Sequence, residues 1–427
     1  MNIHFLTLGC KVNQYESAAL GELFSQNGYT VNSDEKADII IVNSCTVTAE
    51  SDRKTRQLIR KQKKLYPDAI VVLTGCMAQA FPEKSTDIPE VDIIAGNRDS
   101  EKILTLLEEY LKNRERICYT PKHETGDKYT TPSISAFPER TRAYMKIEDG
   151  CDRFCSYCII PYARGRVRSR DIEDIKNEAL RLSNNGFCEI VLVGINLSAF
   201  GKDTELNLCD AVDAVSEIEG IKRVRLGSLE PDHITDHMLE RFKKQEKFCP
   251  QFHLSLQSGC DATLKRMNRH YDSAFYLDLI TRIRNIFPDA SITTDIMVGF
   301  AGETEEEFNE NLAFAEKVQF ARAHIFAYSR RSGTVADALP SQVTSAEKQR
   351  RAKLMAKVTG KSEAEFLKSL QGKTLSVLFE TEKNGIYEGY TKNYSRVEVK
   401  SKENISGKIL NVKIISSDNE KCFGEIV

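Results

Sequence analysis

Short apolar runs at residues 3–8, 38–42 and 70–73 alternate with stretches of helical periodicity at 16–26, 49–65 and near 104–111. Strand-length runs separated by amphipathic helices predict a doubly wound parallel sheet over residues 1–117. Each run is followed almost at once by a cysteine: Cys10 in Leu-Gly-Cys, Cys45 in Asn-Ser-Cys and Cys76 in Thr-Gly-Cys. The carboxyl ends of parallel strands lie on one edge of such a sheet, where ligands bind. The three thiols are therefore expected to converge there, either as ligands of a metal cluster or as ordinary buried cysteines.

Residues 118–139 are rich in Thr, Pro, Ser and Lys without apolar periodicity, which predicts a linker. The strand and helix pattern resumes over residues 140–365. Strands are expected at 143–147, 190–193, 224–226, 251–256, 291–298 and 323–328, with helices such as 172–184, 208–218 and 305–317 between them. Six such repeats imply a full or partial (β/α) barrel whose working loops follow the strand carboxyl ends. A charged helix over 345–370 leads into a tail, 366–427, where short alternating runs at 375–379, 386–390, 396–399 and 409–415 predict a small antiparallel β-barrel. Its Lys373, Lys392, Lys400, Lys402 and Lys408 with Tyr387, Tyr390 and Tyr394 make either a basic, aromatic RNA face or a plain solvated surface. The class is thus α/β with a β-barrel appended.

Cys151, Cys155 and Cys158 follow the first barrel strand in a CxxxCxxC spacing. Iron–sulfur and structural zinc sites held by protein alone take four ligands. Three thiolates on one loop leave a position open for a substrate. A zinc knuckle is the other reading, but no fourth Cys or His stands at its spacing. Arg164, Arg166, Arg168 and Arg170 alternate just beyond; they suit tRNA phosphates or a substrate carboxylate, or else hold loops together as paired charges.

Twelve cysteines in 427 residues, without a small-domain disulfide framework, fit metal ligation in a reducing cytoplasm. Neither a transmembrane run nor a secretory leader is expected. The net charge of −2 is silent about nucleic acid, which is read by local patches. Cys118, Cys188, Cys209, Cys249, Cys260 and Cys422 lack ligand spacing, and His253 and His324 read as interior histidines.

The runs Gly9-Cys10-Lys11-Val12-Asn13-Gln14-Tyr15-Glu16-Ser17, Asn43-Ser44-Cys45-Thr46-Val47-Thr48, Gly75-Cys76-Met77-Ala78-Gln79 and Cys155-Ser156-Tyr157-Cys158-Ile159-Ile160-Pro161-Tyr162-Ala163-Arg164-Gly165-Arg166 together resemble the methylthiotransferase family of radical S-adenosylmethionine (SAM) enzymes. The resemblance spans the chain and implies an amino-terminal cluster domain, a radical SAM partial (β/α)6 barrel and a carboxyl-terminal TRAM domain. The Cys-Lys-Val-Asn-Gln-Tyr-Glu opening is most similar to the members acting on threonylcarbamoyladenosine in tRNA. Those acting on isopentenyladenosine usually show Cys-Gln-Met-Asn here, and those acting on a ribosomal protein Cys-Pro-Lys-Asn; both substrates stay open as alternatives, as does a non-enzymatic metal- and RNA-binding protein.

The resemblance further implies two 4Fe-4S clusters, one on Cys151, Cys155 and Cys158 that binds and reductively cleaves SAM, the other on Cys10, Cys45 and Cys76 that presents sulfur. It implies SAM contacts at Tyr157, Asp295 and Gly299, while position adds Gly194 and Asn196 after the second barrel strand and Ser255 and Gln257 on one face of a later strand. Its partners would be tRNA, an external one-electron reductant and a sulfur source, with no membrane. Ala301 stands where the family usually has proline, which leaves that loop less rigid.

Overall fold

The computed structural model describes residues 1–33, 35–137 and 141–427. The first unit is a six-stranded sheet, β1 (Asn2–Thr7), β2 (Thr30–Val31), β3 (Ile39–Ser44), β4 (Ile70–Gly75), β5 (Ile93–Ala95) and β6 (Ile117–Tyr119), in the order 2-1-3-4-5-6. Every pairing is parallel. Alternation in β3 sends Ile39 and Ile41 to one face, packed with Leu20, Phe24 and Leu107, and Ile40 and Val42 to the other, packed with Ile59 and Met77. Helices thus cover both faces, and the order reverses between β1 and β3, the switch point at which such sheets bind ligands.

The expected linker begins inside this sheet: Ile117–Tyr119 pairs with β5, so residue 118 is strand rather than tether. Residues 120–137 are not a free linker either. Ile134 and Phe137 are buried in the barrel core, the Gln79 side chain donates to Pro121 O at 2.8 Å, and the Tyr129 hydroxyl donates to Lys146 O at 2.8 Å. The last expected linker residues, 138 and 139, and the first barrel residue, 140, lie outside the described residues.

The second unit carries β7 (Ala143–Lys146), a short antiparallel pair β8 (Glu148–Asp149) and β9 (Arg168–Ser169), then β10 (Glu189–Val193), β11 (Arg223–Leu226), β12 (Ser228–Leu229), β13 (Gln251–Leu254), β14 (Ser291–Val298) and β15 (Arg322–Ala327). Parallel pairing runs β7-β10-β11, then β12-β13-β14-β15, with Gly227 between the two halves. Among the described residues nothing pairs β15 with β7, so this is a partial barrel with an open seam.

The first unit lies across that seam. Val12, Tyr15 and Ala19 of the helix Lys11–Gln26 join the barrel core beside β7. At the other edge Arg331, beyond β15, donates to Asp52 at 2.9 Å and to the Thr46 hydroxyl at 2.5 Å. One helix therefore packs its own sheet with Leu20 and Phe24 and the barrel with Val12 and Tyr15.

The helix Ser345–Ser369 leads to a closed barrel of β16 (Thr374–Lys383), β17 (Ile386–Thr391), β18 (Arg396–Lys400), β19 (Ile409–Ser417) and β20 (Cys422–Ile426), ordered 16-17-18-20-19. Four antiparallel strands were expected. The fifth, β20, closes the barrel by pairing with β18 in parallel, so the barrel is mixed. It caps the amino-terminal ends of the large barrel's strands: Arg223 and Arg225 of β11 donate to the carbonyls of Ser376, Tyr390, Thr391 and Lys392. Tyr390 and Tyr394 stack on each other beneath Arg142. These aromatics and Lys392, which donates to Glu246 O, take part in docking the small barrel on the large one.

Candidate active site

Cys10 is the N-cap of the helix Lys11–Gln26, Cys45 follows β3, and Cys76 opens the short helix Cys76–Ala80. Backbone geometry brings the three together. Gly9 has φ +122° and a Cβ there would come 2.8 Å from the Cys45 Cβ, so only glycine lets the Cys10 turn approach Cys45 so closely. Gly75, at φ +92°, makes the same concession to Ser44, whose carbonyl oxygen a Cβ would strike. The Asn13 amide donates to Asn43 Oδ1 and Ser44 O, while the Ser44 hydroxyl donates to Thr74 O at 2.5 Å. These bonds tie three chain segments distant in sequence into one edge.

Burial pushes the Cys76 thiol up to about 12, opposed mainly by Arg164, whose Nε donates to Cys76 Sγ at 3.2 Å. Arg164 is fully buried and also pairs with Glu16 and Asp149, as Lys146 does. Burial raises the Glu16 carboxyl, but Arg164 and Lys146 outweigh it and hold it below its ordinary range. The result is a closed ion network joining the first helix to β7 and β8 directly under Cys76.

The second set sits on one loop after β8. Cys151 N donates to Gly165 O at 3.0 Å and Cys158 N to Cys155 O at 2.9 Å. Desolvation raises the Cys151 thiol to about 12 and pushes Cys158 up as well. Arg269 donates to Cys155 Sγ at 3.3 Å and pairs with Glu230. Each set of thiols thus has one sulfur held by a buried guanidinium, and the adjacent residues Arg164 and Gly165 touch the first set at Cys76 and the second at Cys151.

Beside Cys158 opens a cavity of about 230 Å³ lined by Tyr157, Gln257, Asp295, Met297, Tyr328 and, from the first unit, Val47 and Thr48. Of the expected SAM contacts it gathers Tyr157, Gln257 and Asp295. Gly194 and Asn196 cluster around Glu148: Asn196 N donates to Glu148 Oε2 at 2.7 Å, and a Cβ on Gly194 would strike that oxygen. Glu148 Oε1 and Asn196 Oδ1 are buried without a hydrogen-bond partner among the described residues, so both atoms stand open to a ligand. Desolvation, reinforced by Asp149, raises the Glu148 carboxyl well above its usual range. Ser255 is buried near the rim with its carbonyl taken by Tyr271 and Arg269. Gly299 does not line the cavity; its N–H donates to Glu303, and a Cβ would meet Lys348.

All twelve cysteines are free thiols. Among the described residues no three His, Cys, Asp or Glu side chains close on a point as one metal ion requires. A four-iron cluster spreads its thiolates over a wider triangle, and two all-thiol triads beside orphaned polar atoms are the donor sets that such clusters and a bound amino acid take.

Residues 2–96 match the family described as Uncharacterized protein family UPF0004, and residues 145–315 match the Radical SAM superfamily. Threonylcarbamoyladenosine tRNA methylthiotransferase MtaB of Bacillus subtilis is 37% identical over 436 residues, covering 100% of this chain and 97% of its own. The protein of that name from Aquifex aeolicus is 37% identical over 91% of this chain and 95% of its own. The chain belongs to the radical SAM tRNA methylthiotransferases. A tRNA-2-methylthio-N(6)-dimethylallyladenosine synthase of Clostridium botulinum is 35% identical, covering 98% of this chain and 95% of its own. The fold resembles that of the radical S-adenosylmethionine methyltransferase TsrM from Kitasatospora setae, with TM-score 0.59, 14% identity and coverage of 79% and 77%. As a methylthiotransferase the chain uses SAM and two 4Fe-4S clusters.

The arginine stripe divides in this methylthiotransferase. Arg164 is enclosed as above, Arg168 donates to the carbonyls of Arg164 and Arg166, and Arg170 pairs with Glu178 at 2.7 Å. These three are desolvated and paired within the chain, as in the alternative that they hold loops together. Arg166 alone is exposed, lying over Phe154 and 3.4 Å from Asp152. His253 is satisfied by Asp295 and Thr293, as expected, whereas His324 is exposed on β15. Sequence reading missed Arg269, Glu148 and the role of Glu16. Glu16 lay in a quoted motif, but Arg269 and Glu148 carry no spacing that marks them.

Proposed function

We propose that this chain replaces the C2 hydrogen of N6-threonylcarbamoyladenosine, beside the anticodon of tRNA, with a methylthio group. The observation that carries the reading is the meeting of two cysteine triads across residues 164 and 165 at one barrel mouth. Full-length identity to relatives named for that reaction supports it. A purine C2–H is neither acidic nor polarised, so acid–base side chains cannot exchange it. When bound, the clusters and SAM supply the one-electron chemistry together with the sulfur and the methyl group.

In this reading Cys151, Cys155 and Cys158 hold the cluster that meets SAM, and Cys10, Cys45 and Cys76 hold the cluster that carries sulfur. Arg269 and Arg164 fix one thiolate of each. Tyr157, Gln257 and Asp295 hold the nucleoside of SAM, while Glu148, Gly194 and Asn196 take its amino-acid end. The first unit, lying across the seam, excludes water from the mouth. Arg166 contacts tRNA phosphate. An external one-electron reductant and a sulfur source complete the cycle, in the cytoplasm where tRNA matures; among the described residues no helix is long and apolar enough to cross a membrane.

The test is mass spectrometry of nucleosides after the anaerobically reconstituted enzyme, SAM and reductant act on two tRNAs, one carrying threonylcarbamoyladenosine and one carrying isopentenyladenosine. Methylthiolation of the first alone is expected. Conversion of the second alone sinks the substrate assignment.

A further inference from the structure

The wall of the barrel lumen facing the seam carries a lysine that has no carboxylate partner among the described residues. Lys11, the first residue after Cys10, reaches in between the two edge strands. Its ammonium stands 5.7 Å from the ring centroid of Tyr144 on β7, and it interacts electrostatically with His324 on β15. Arg142, Arg225 and the Tyr394 hydroxyl are also within electrostatic range. The neighbouring cations are spent. Arg142 pairs with Glu380 and Glu189, and Arg225 pairs with Glu189 and donates to the carbonyls of Lys392 and Thr391. Lys11 has neither a hydrogen bond nor an ion pair among the described residues, although three donors belong to its ammonium.

Burial and the two guanidiniums disfavour the Lys11 ammonium, and only the Tyr394 hydroxyl and the Cys10 thiol favour it, so the position is one that a bound carboxylate would complete. Its place fixes what the anion belongs to. Lys11 adjoins Cys10, so a base presented to the first triad brings its own substituent toward this wall. We infer that Lys11 is the receptor for the carboxylate of the threonylcarbamoyl group and sets the enzyme's choice among modified adenosines. This deepens the substrate reading above and rests on it. An isoprenoid substituent offers no acceptor here and would leave the ammonium desolvated and unpaired.

The test uses the anaerobically reconstituted holoenzyme, with cluster content matched by iron analysis and visible absorbance. Fluorescence anisotropy measures its affinity for three anticodon stem-loops: one bearing threonylcarbamoyladenosine, one bearing the methyl ester of the same group, and one bearing unmodified adenosine. The wild type is expected to prefer acid over ester by about tenfold to a hundredfold, the range of a hydrogen bond to a charged group. Lys11→Gln should erase that ratio, and Lys11→Arg should keep most of it. Retention of the ratio by Lys11→Gln, or absence of a ratio in the wild type, overturns the inference. Equal weakening of all three stem-loops by Lys11→Gln also overturns it, because that marks a backbone phosphate contact. Turnover by the wild type separates the two claims. If it converts the acid-bearing stem-loop while the ratio ignores Lys11, the substrate reading survives and this one does not.

Discussion

The two cysteine triads reach similar ends by opposite routes. Cys151, Cys155 and Cys158 lie within one loop, so their proximity is a local property of a few backbone turns. Cys10, Cys45 and Cys76 come from three strand ends and meet only because β1, β3 and β4 pair in register, with Gly9 and Gly75 permitting the approach. The first kind survives loosening of distant structure; the second is only as sound as the sheet and its docking on the barrel. Both are fastened by a guanidinium, Arg269 for the loop and Arg164 for the sheet, but Arg164 also joins the two units.

The largest expected effects separate the triads by function. Cys158→Ala and Cys45→Ala should each abolish the methylthiolated product and each lower bound iron by about half, since one cluster of two is lost. Cys158→Ala should also end the release of 5′-deoxyadenosine from SAM, whereas Cys45→Ala should retain it. Iron analysis and chromatography of the nucleoside read both, and equal SAM cleavage by the two variants would break the comparison.

Next in size is Arg164→Met. It leaves Glu16 with Lys146 alone and Asp149 with Lys146 and Arg168, a loss of about 3–5 kcal/mol expected for an undercompensated buried pair. The melting temperature should fall, and Arg164→Lys should not restore it, because the guanidinium serves Glu16, Asp149 and Cys76 at once. Arg269→Lys should be milder. It removes the bond to Cys155 while keeping a charge near Glu230, and an approximately tenfold fall in SAM cleavage with near-normal stability is expected. An effect of Arg269→Lys on stability as large as that of Arg164→Met would erase the distinction between local and assembled sites.

Acid probes the docking of the C-terminal barrel. Burial pushes the Glu189 carboxyl up, but Arg225, Arg142 and Arg223 outweigh it and hold it below its ordinary range. A depressed folded value means its stabilisation is present above the unfolded carboxylate range and fades as pH falls through the lowered value. Thermal melts on the acid side should therefore show a pH dependence that Glu189→Gln reduces. The smallest effect belongs to Arg166→Ala, which should weaken tRNA binding by only a few-fold and lower the salt slope by about one.

The local triad was legible because its spacing is written in one run of residues. The assembled triad was legible because each cysteine ends a strand-like run, and parallel sheets align such ends. What stayed hidden followed from neutralisation at a distance. Alternating arginines look identical in sequence, but Arg164, Arg168 and Arg170 find buried partners in the fold, whereas Arg166 pairs with Asp152 at the exposed surface. Arg269 and Glu148 reach the site through tertiary packing alone. The strand β20 was missed because its run is short, and β6 because its three residues merge into a polar stretch. His324 looked interior because β15 alternates, but its polar face borders an open seam rather than a packed core.

The most direct test of the division between the triads is the mass spectrum of nucleosides from total tRNA of cells lacking this gene, complemented with the wild type or with Cys76→Ala. The account predicts 2-methylthio-N6-threonylcarbamoyladenosine with the wild type, and only its unthiolated precursor with Cys76→Ala. Thiolated nucleoside from the Cys76→Ala cells would contradict the claim that the sheet-edge triad carries the sulfur.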